Sequence, residues 1–251
     1  MIRIPATLLL LFLVLNSFGQ DEGVEEDVKL IYNSQFAGGL SIHTNGAGGF
    51  FYLGKYKGIK NVWTFGLDIL YMKHEKEIKS YNPVYEDSRG YVYGKLNNFY
   101  IFRPTIGQKH IITEKIRQKG VQVGFHWQVG PSLGVTKPVY LEIGYPSIPY
   151  DSLQVERYDP ERHDIELIYG KASGFRGLSE LKLYPGAFAK FAFNFEYSNE
   201  NDRIKGIEVG VAMDAYLREI PIMAESEVAN NRQLFTTLFL NFFFGKKYTA
   251  R

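Results

Sequence analysis

Apolar residues recur at every second position over several stretches of this chain, the period of a β-strand whose two faces meet different surroundings. From Val121 to Ser132, the residues Val121, Val123, Phe125, Trp127 and Val129 share one face, and Gln122, Gly124, His126, Gln128 and Gly130 share the other. Ile207 to Leu217 sets Ile207, Val209, Val211, Met213, Ala215 and Leu217 against Glu208, Gly210, Ala212, Asp214 and Tyr216. Trp63 to Tyr71 and Ala189 to Tyr197 alternate in the same way, and Leu234 to Phe244 does so less sharply. Phe36–Thr44, Gly48–Tyr56 and Lys95–Arg103 complete the set, the last two with apolar residues on both faces, so their registers stay open. The sequence therefore predicts an all-β chain of about eight strands, an even number, as in single-chain bacterial barrels.

The polar faces indicate which side is inside. A water-facing sheet surface is normally rich in Lys and Glu, because solubility needs charge. Here those faces carry mostly Gly, Ala, Ser, Thr, Asn and Gln, while the opposite faces carry large aromatics. Small polar residues suit the narrow interior of an eight-stranded barrel, and aromatics suit a lipid-facing exterior. The expectation is a transmembrane antiparallel up-and-down β-barrel with Trp63, Tyr197, Phe242 and Phe244 near the inner rim and Tyr71 near the outer. A soluble barrel with the faces reversed is the competing arrangement.

Connection lengths fit this orientation, because such barrels have short periplasmic turns and long outer loops. The outer connections are expected at 45–47, 73–94, 139–183 and 218–233, and the inner ones at 57–60, 104–120 and 198–205. A short helix is expected at Leu178 to Leu183. The N-terminus adds a route of export. Arg3, the apolar run Leu8 to Leu15 and the small residues Ser17 and Gly19 form the three parts of a cleavable signal peptide. Residues 1–19 are thus read as the signal, 20–35 as a periplasmic lead-in and 36–251 as the barrel. The charges nearly cancel, at a formal net of +2, so nothing points to nucleic acid as a partner. Cysteine is absent, which excludes disulfides, thiolate metal sites and a cysteine-borne lipid anchor.

Asp68, His126, Lys190, Glu208 and Asp214 should point into the lumen, with Gln122, Gln128, Asn194 and Asn241 around them. Counting back from the 198–205 turn puts Lys190 nearly opposite Glu208. Buried charges must pair or become neutral, so the leading expectation is a network that fills the barrel. The alternatives are a narrow ion or water path, and a catalytic set of His126, Asp68 or Asp214, and Ser132. No local motif marks such a triad. In the third outer loop, Asp159 to Asp164 is an acidic cluster with His163, without the spacing of an EF-hand; it reads as solvated, and no metal or cofactor is expected. The same loop carries Tyr145, Tyr150 and Tyr169, aromatic content suited to capping its own barrel or to meeting a partner. Lys109, Lys115, Arg117 and Lys119 make the second inner turn basic, for solubility or for docking on another envelope component.

The signal ending Ser17-Phe18-Gly19-Gln20 and the terminal Asn241-Phe242-Phe243-Phe244-Gly245-Lys246-Lys247 resemble the small outer-membrane β-barrel proteins of the Bacteroidota. Seven residues follow Phe244, a departure from chains that end on the aromatic. The resemblance implies outer-membrane location and insertion by the barrel-assembly machinery, with no particular activity. The expected role is a non-enzymatic structural or accessory subunit, in contact with outer-membrane lipid and another envelope protein. A narrow, porin-like transport pore is the alternative, and a lipid-modifying enzyme comes third.

Overall fold

All eight expected segments become strands of one closed sheet in the computed structural model, which describes residues 32–113, 120–146, 148–198, 200, 202–225 and 230–249. The signal-like segment, most of the lead-in, and Lys115, Arg117 and Lys119 lie outside those residues. In chain order the strands are β1 (Tyr32–His43), β2 (Gly46–Tyr56), β3 (Asn61–Met72), β4 (Lys79–Ser80), β5 (Tyr91–Val92), β6 (Asn97–Thr113) and β7 (Gln122–Pro138), followed by β8 (Tyr140–Tyr145), β9 (Ser152–Arg157), β10 (Ile168–Lys171), β11 (Lys182–Glu196), β12 (Arg203–Ile220) and β13 (Arg232–Thr249). The barrel is an antiparallel meander of β1, β2, β3, β6, β7, β11, β12 and β13. It closes where β13 pairs with β1, from Tyr32 opposite Thr249 to His43 opposite Phe239.

The two faces separate as the alternation predicts. Phe65, Leu67 and Ile69 of β3, Phe191, Phe193 and Phe195 of β11, and Val209, Val211 and Met213 of β12 all point outward and are exposed. Their strand neighbours Asp68, Lys190, Asn194, Glu208 and Asp214 point inward and are buried. The interior is less uniformly small and polar than the sequence suggests. Phe50, Tyr52, Phe99, Phe188, Phe239 and Phe243 also face inward and are buried. Two of these rings sit on β2, whose outward face carries Phe51 and Leu53, which is why its sequence has no visible alternation. Inward glycines let neighbouring backbone approach closely. A Cβ on Gly39 would lie 1.8 Å from the Phe242 carbonyl oxygen, and one on Gly66 2.3 Å from that of Phe51.

Strand lengths differ around the barrel. β1 and β3 have 12 residues, whereas β12 and β13 have 18. β6 runs to Thr113 and β7 starts at Gln122, so the connection expected at 104–120 is mostly strand. One end of the barrel carries the connections β2–β3, β6–β7 and β11–β12; the other carries the long loops. There, β10, β8 and β9 form a three-stranded sheet in that order, and β4 pairs with β5. The helix expected at Leu178 to Leu183 is a single 3-10 turn, Leu178–Glu180, before β11 begins.

The loops form a cap with its own core. Leu141, Ile143 and Ile168 of the small sheet pack with Tyr91, Val139 and Tyr158. Beneath it, Ile220, Ile222 and Met223 pack against Leu70, Met72 and Phe99 in the barrel mouth. Backbone bonds hold this crossing segment: Leu96 N donates to Ile222 O at 2.9 Å, and Ala224 N to Gly94 O at 2.7 Å. The cap thus folds onto its own barrel.

Candidate functional site: the filled lumen and its cap

Below the apolar mouth, the interior charges are arranged in tiers. In the first tier, Arg103 of β6 reaches across the lumen to Asp214 of β12, donating from Nε to Oδ1 at 2.8 Å and from its terminal nitrogen to Oδ2. Ser132 Oγ donates to the same Oδ1 at 2.9 Å and also meets the Tyr216 hydroxyl at 2.9 Å. The Arg103 guanidinium lies over the Phe188 ring at 5.4 Å. In the second tier, Lys190 Nζ meets Asp68 at 3.3 Å and sits 5.6 and 5.0 Å from the ring centres of Phe50 and Phe239. The inward aromatics thereby supply the flanks of the buried cations, an attraction that strengthens when both partners are removed from water.

The third tier joins the expected His126 and Glu208. Nδ1 of His126 lies 2.8 Å from Glu208 Oε1, and Nε2 lies 2.9 Å from Thr64 Oγ1. A carboxylate can only accept, so Nδ1 carries the proton and, in the neutral ring, Nε2 accepts from the Thr64 hydroxyl. Asn194 and Asn241 donate to the two oxygens of Glu208 at 3.2 and 3.1 Å. The fourth tier, toward the short-turn end, holds Glu196 between Lys247 at 2.6 Å and Lys109 at 3.5 Å, with Gln122 Nε2 at 3.4 Å. Across the tiers the interior holds the cations Arg103, Lys109, Lys190 and Lys247, and the carboxylates Asp68, Glu196, Glu208 and Asp214. The formal charge of those eight groups cancels, which is the condition for burying them together.

These placements refine the expected site. All five predicted lumen residues face inward, where Asp68 meets Lys190 and His126 meets Glu208 while Asp214 is held by Arg103 and Ser132, so the partners differ from the expected ones. Lys190 stands opposite Ala212, and it is Asn194 that stands opposite Glu208; equal steps from the 198–205 turn lead from Lys190 to Met213, so the expected pairing with Glu208 was four residues out of register and the turn was not its cause. Lys109 is not in a solvated basic turn. It is 1 % exposed on β6, inside the barrel and paired with Glu196, because the strand continues past the point where its alternation becomes obscure. Arg103, Lys109, Glu196 and Lys247 were not among the predicted lumen residues. Extending the two-residue count from Asn194 to Glu196 and from Asn241 to Lys247 reaches two of them.

The Thr64–His126–Glu208 chain has the connectivity that activates hydroxyl nucleophiles in hydrolases. Here Thr64 is fully buried. The nearby lumen cavity measures about 10 Å³ and is lined by Ser41, His43, Asp68, Arg103 and Lys190 among others, not by Thr64. Such a volume is about the minimum for one water. A substrate carbonyl has no approach to the hydroxyl. The predicted combination of His126 with Ser132 does not form, since Ser132 binds Asp214 and Tyr216.

In the cap, all three tyrosines singled out from the sequence are engaged internally. Tyr145 donates to Glu156 Oε1 at 2.9 Å, Tyr150 donates to the Glu166 carbonyl at 2.6 Å, and the Tyr150 and Tyr169 rings pack on Tyr85 at 5.2 and 5.5 Å. His163, within the acidic stretch, is buried and its Nε2 lies 3.1 Å from Glu156 Oε2. The Tyr145 and His163 hydrogen bonds hold the Glu156 carboxyl below the usual carboxylate range. Beside it, an open groove of about 430 Å³ is lined by Arg157, Tyr158, Asp159 and Arg162, with Leu96 and Pro160. Among the described residues, no group of three or more His, Asp or Glu is placed to hold a metal ion. Compared with known proteins, the chain matches no family model and no curated protein.

Proposed function

We propose that this protein is a non-enzymatic outer-membrane β-barrel whose lumen is structurally filled and whose cap serves as a structural or accessory surface of an envelope assembly. The observation that carries the membrane reading is the continuous outward belt of exposed rings and aliphatic chains around a closed barrel that keeps its charges inside. Burying the belt in acyl chains removes its apolar area from water; leaving it wet costs about 25 cal/mol for each Å². The belt also has aromatic margins. Trp63 and Trp127 meet at 6.3 Å toward the short-turn end, and Tyr71 and Tyr100 at 5.3 Å toward the loop end. Two such girdles are usual at the interfaces of membrane barrels.

The filled interior supports the scaffold reading over the pore. Apolar side chains occupy the mouth, and four tiers of paired groups follow, with a cavity of about 10 Å³ in the lumen. The test of location is fractionation of the exporting cell: the chain should stay with outer membranes through alkaline carbonate washing. Recovery in the soluble periplasmic fraction would remove the proposal. The subunit role is tested by extraction in mild detergent, where a chain that migrates only as a free barrel is no subunit.

A further inference from the structure

The small sheet of the cap has two edges, and they are treated differently. On the β10 side, Lys171 N donates to the Arg89 carbonyl at 3.1 Å, so loop backbone covers that edge. β9 lies at the opposite edge and, among the described residues, pairs only with β8. Its sequence is Ser-Leu-Gln-Val-Glu-Arg, and only Glu156 is less than exposed. The alternation of its backbone bonds is fixed one residue beyond the strand, where Tyr158 N donates to Val139 O at 2.9 Å. Even-numbered residues therefore bond toward β8, and Leu153, Val155 and Arg157 direct their N–H and C=O groups outward. Natural edges are usually blunted by Pro, inward charges or bulges. The centre of this one is Leu-Gln-Val.

We propose that β9 is a self-association edge, on which a second copy of this chain adds its own β9 antiparallel about a twofold axis through Gln154. The two small sheets then form one sheet of six strands. The register follows from the side chains. With Gln154 opposite Gln154 of the partner subunit, each Leu153 faces a Val155, each Ser152 a Glu156, and each Asp151 an Arg157. The hydrogen-bonding pairs fall on Leu153 and Val155, whose backbone groups are the outward ones. A shift of two residues in one direction sets Leu153 against Arg157, and in the other sets Val155 against Asp151, so only the central register is complementary throughout. Cross-strand pairs of this kind are the unit of sheet stabilisation. Arg157 also touches Glu180 at 3.4 Å, in a pair that is about half exposed on both sides, which leaves guanidinium donors for a second carboxylate. The inference is independent of the membrane reading, because the edge belongs to the cap.

The absence of native cysteine makes the register directly testable. Two residues facing each other across a non-hydrogen-bonded antiparallel pair have Cα atoms about 4.5 Å apart, within disulfide range. Two copies of position 152 in the same arrangement are about 14 Å apart, beyond it. The full chain carrying Gln154→Cys, in whichever of detergent or buffer keeps it dispersed, should give mainly disulfide-linked dimer on mild oxidation. The chain carrying Ser152→Cys should stay largely monomeric. Adding Asp151→Arg or Arg157→Asp to the Gln154→Cys chain should each lower the dimer yield severalfold, and adding both together should restore it. Equal cross-linking at 154 and 152, or failure of the charge exchange to restore the yield, would overturn the proposal, whether because the edge is unpaired or because it receives another protein's strand.

Discussion

Arg103 and Asp214, 111 residues apart in sequence, form a two-point ion pair across the barrel interior, with both side chains almost fully buried. Their strands, β6 and β12, are not neighbours in the sheet, so the pair ties opposite walls. Removing one partner strands the other charge in the lumen, at a cost of about 3–5 kcal/mol. Asp214→Ala or Arg103→Ala should therefore destabilise by that amount in reversible urea unfolding. The double variant Arg103→Met/Asp214→Leu should lose much less. Additive losses would show that the two groups do not depend on each other.

The outward belt makes a prediction that separates lipid from water. Val209 points outward from the middle of β12 and is exposed. Val209→Arg in a lipid-facing position should cost about 2–4 kcal/mol, measured by unfolding from lipid vesicles. A surface change on a water-facing barrel is normally within about 0.5 kcal/mol.

The packed interior predicts that the protein is electrically silent in planar bilayers. Reproducible single-channel steps from the purified chain would contradict a filled lumen.

Thr64→Val removes one hydroxyl from the His126 chain while keeping its volume nearly constant. The expected effect is a loss of about 1 kcal/mol in stability, with no change in the lipid composition of cells that express the variant. An altered lipid profile would point instead to catalysis by that hydroxyl.

The cap should respond to acid through Glu156, whose carboxyl is held below its ordinary range by Tyr145 and His163. A carboxyl that is more acidic when folded stabilises the fold above its unfolded pKa, about 4.3. That contribution disappears as pH falls through the folded value. Hydrogen-exchange protection in β8, β9 and β10, taken relative to the intrinsic exchange rate at each pH, should fall on acidification through that range, and Glu156→Gln should flatten the response.

The strands were legible in the sequence because outward and inward environments differ at each position, and where they differ sharply the faces came out correctly. β7, β11 and β12 are such cases. β2 was opaque because Phe50 and Tyr52 line the interior while Phe51 and Leu53 face out; the inner rings are there to flank Lys190 and His126. β6 was opaque for a related reason, since Phe99 and Ile101 fill the mouth from inside. The charge network was visible as a set of residue types, but its pairs cross the lumen, and periodicity along one strand carries no information about the opposite wall. The cap sheet was legible only as aromatic content. Its strands are short, with 6, 6 and 4 residues, and stabilised by contacts with residues far away in the chain, such as Asn82 donating to Ile168 O at 2.9 Å.

The chain has two tryptophans, Trp63 and Trp127, and both lie on the outward face in contact with each other. Their fluorescence therefore reports the belt without any substitution. After reconstitution into vesicles, lipids brominated along the acyl chain should quench most of the emission, and a water-soluble quencher such as iodide should have little effect. Strong iodide quenching with no response to brominated acyl chains would place the belt in water and contradict the account.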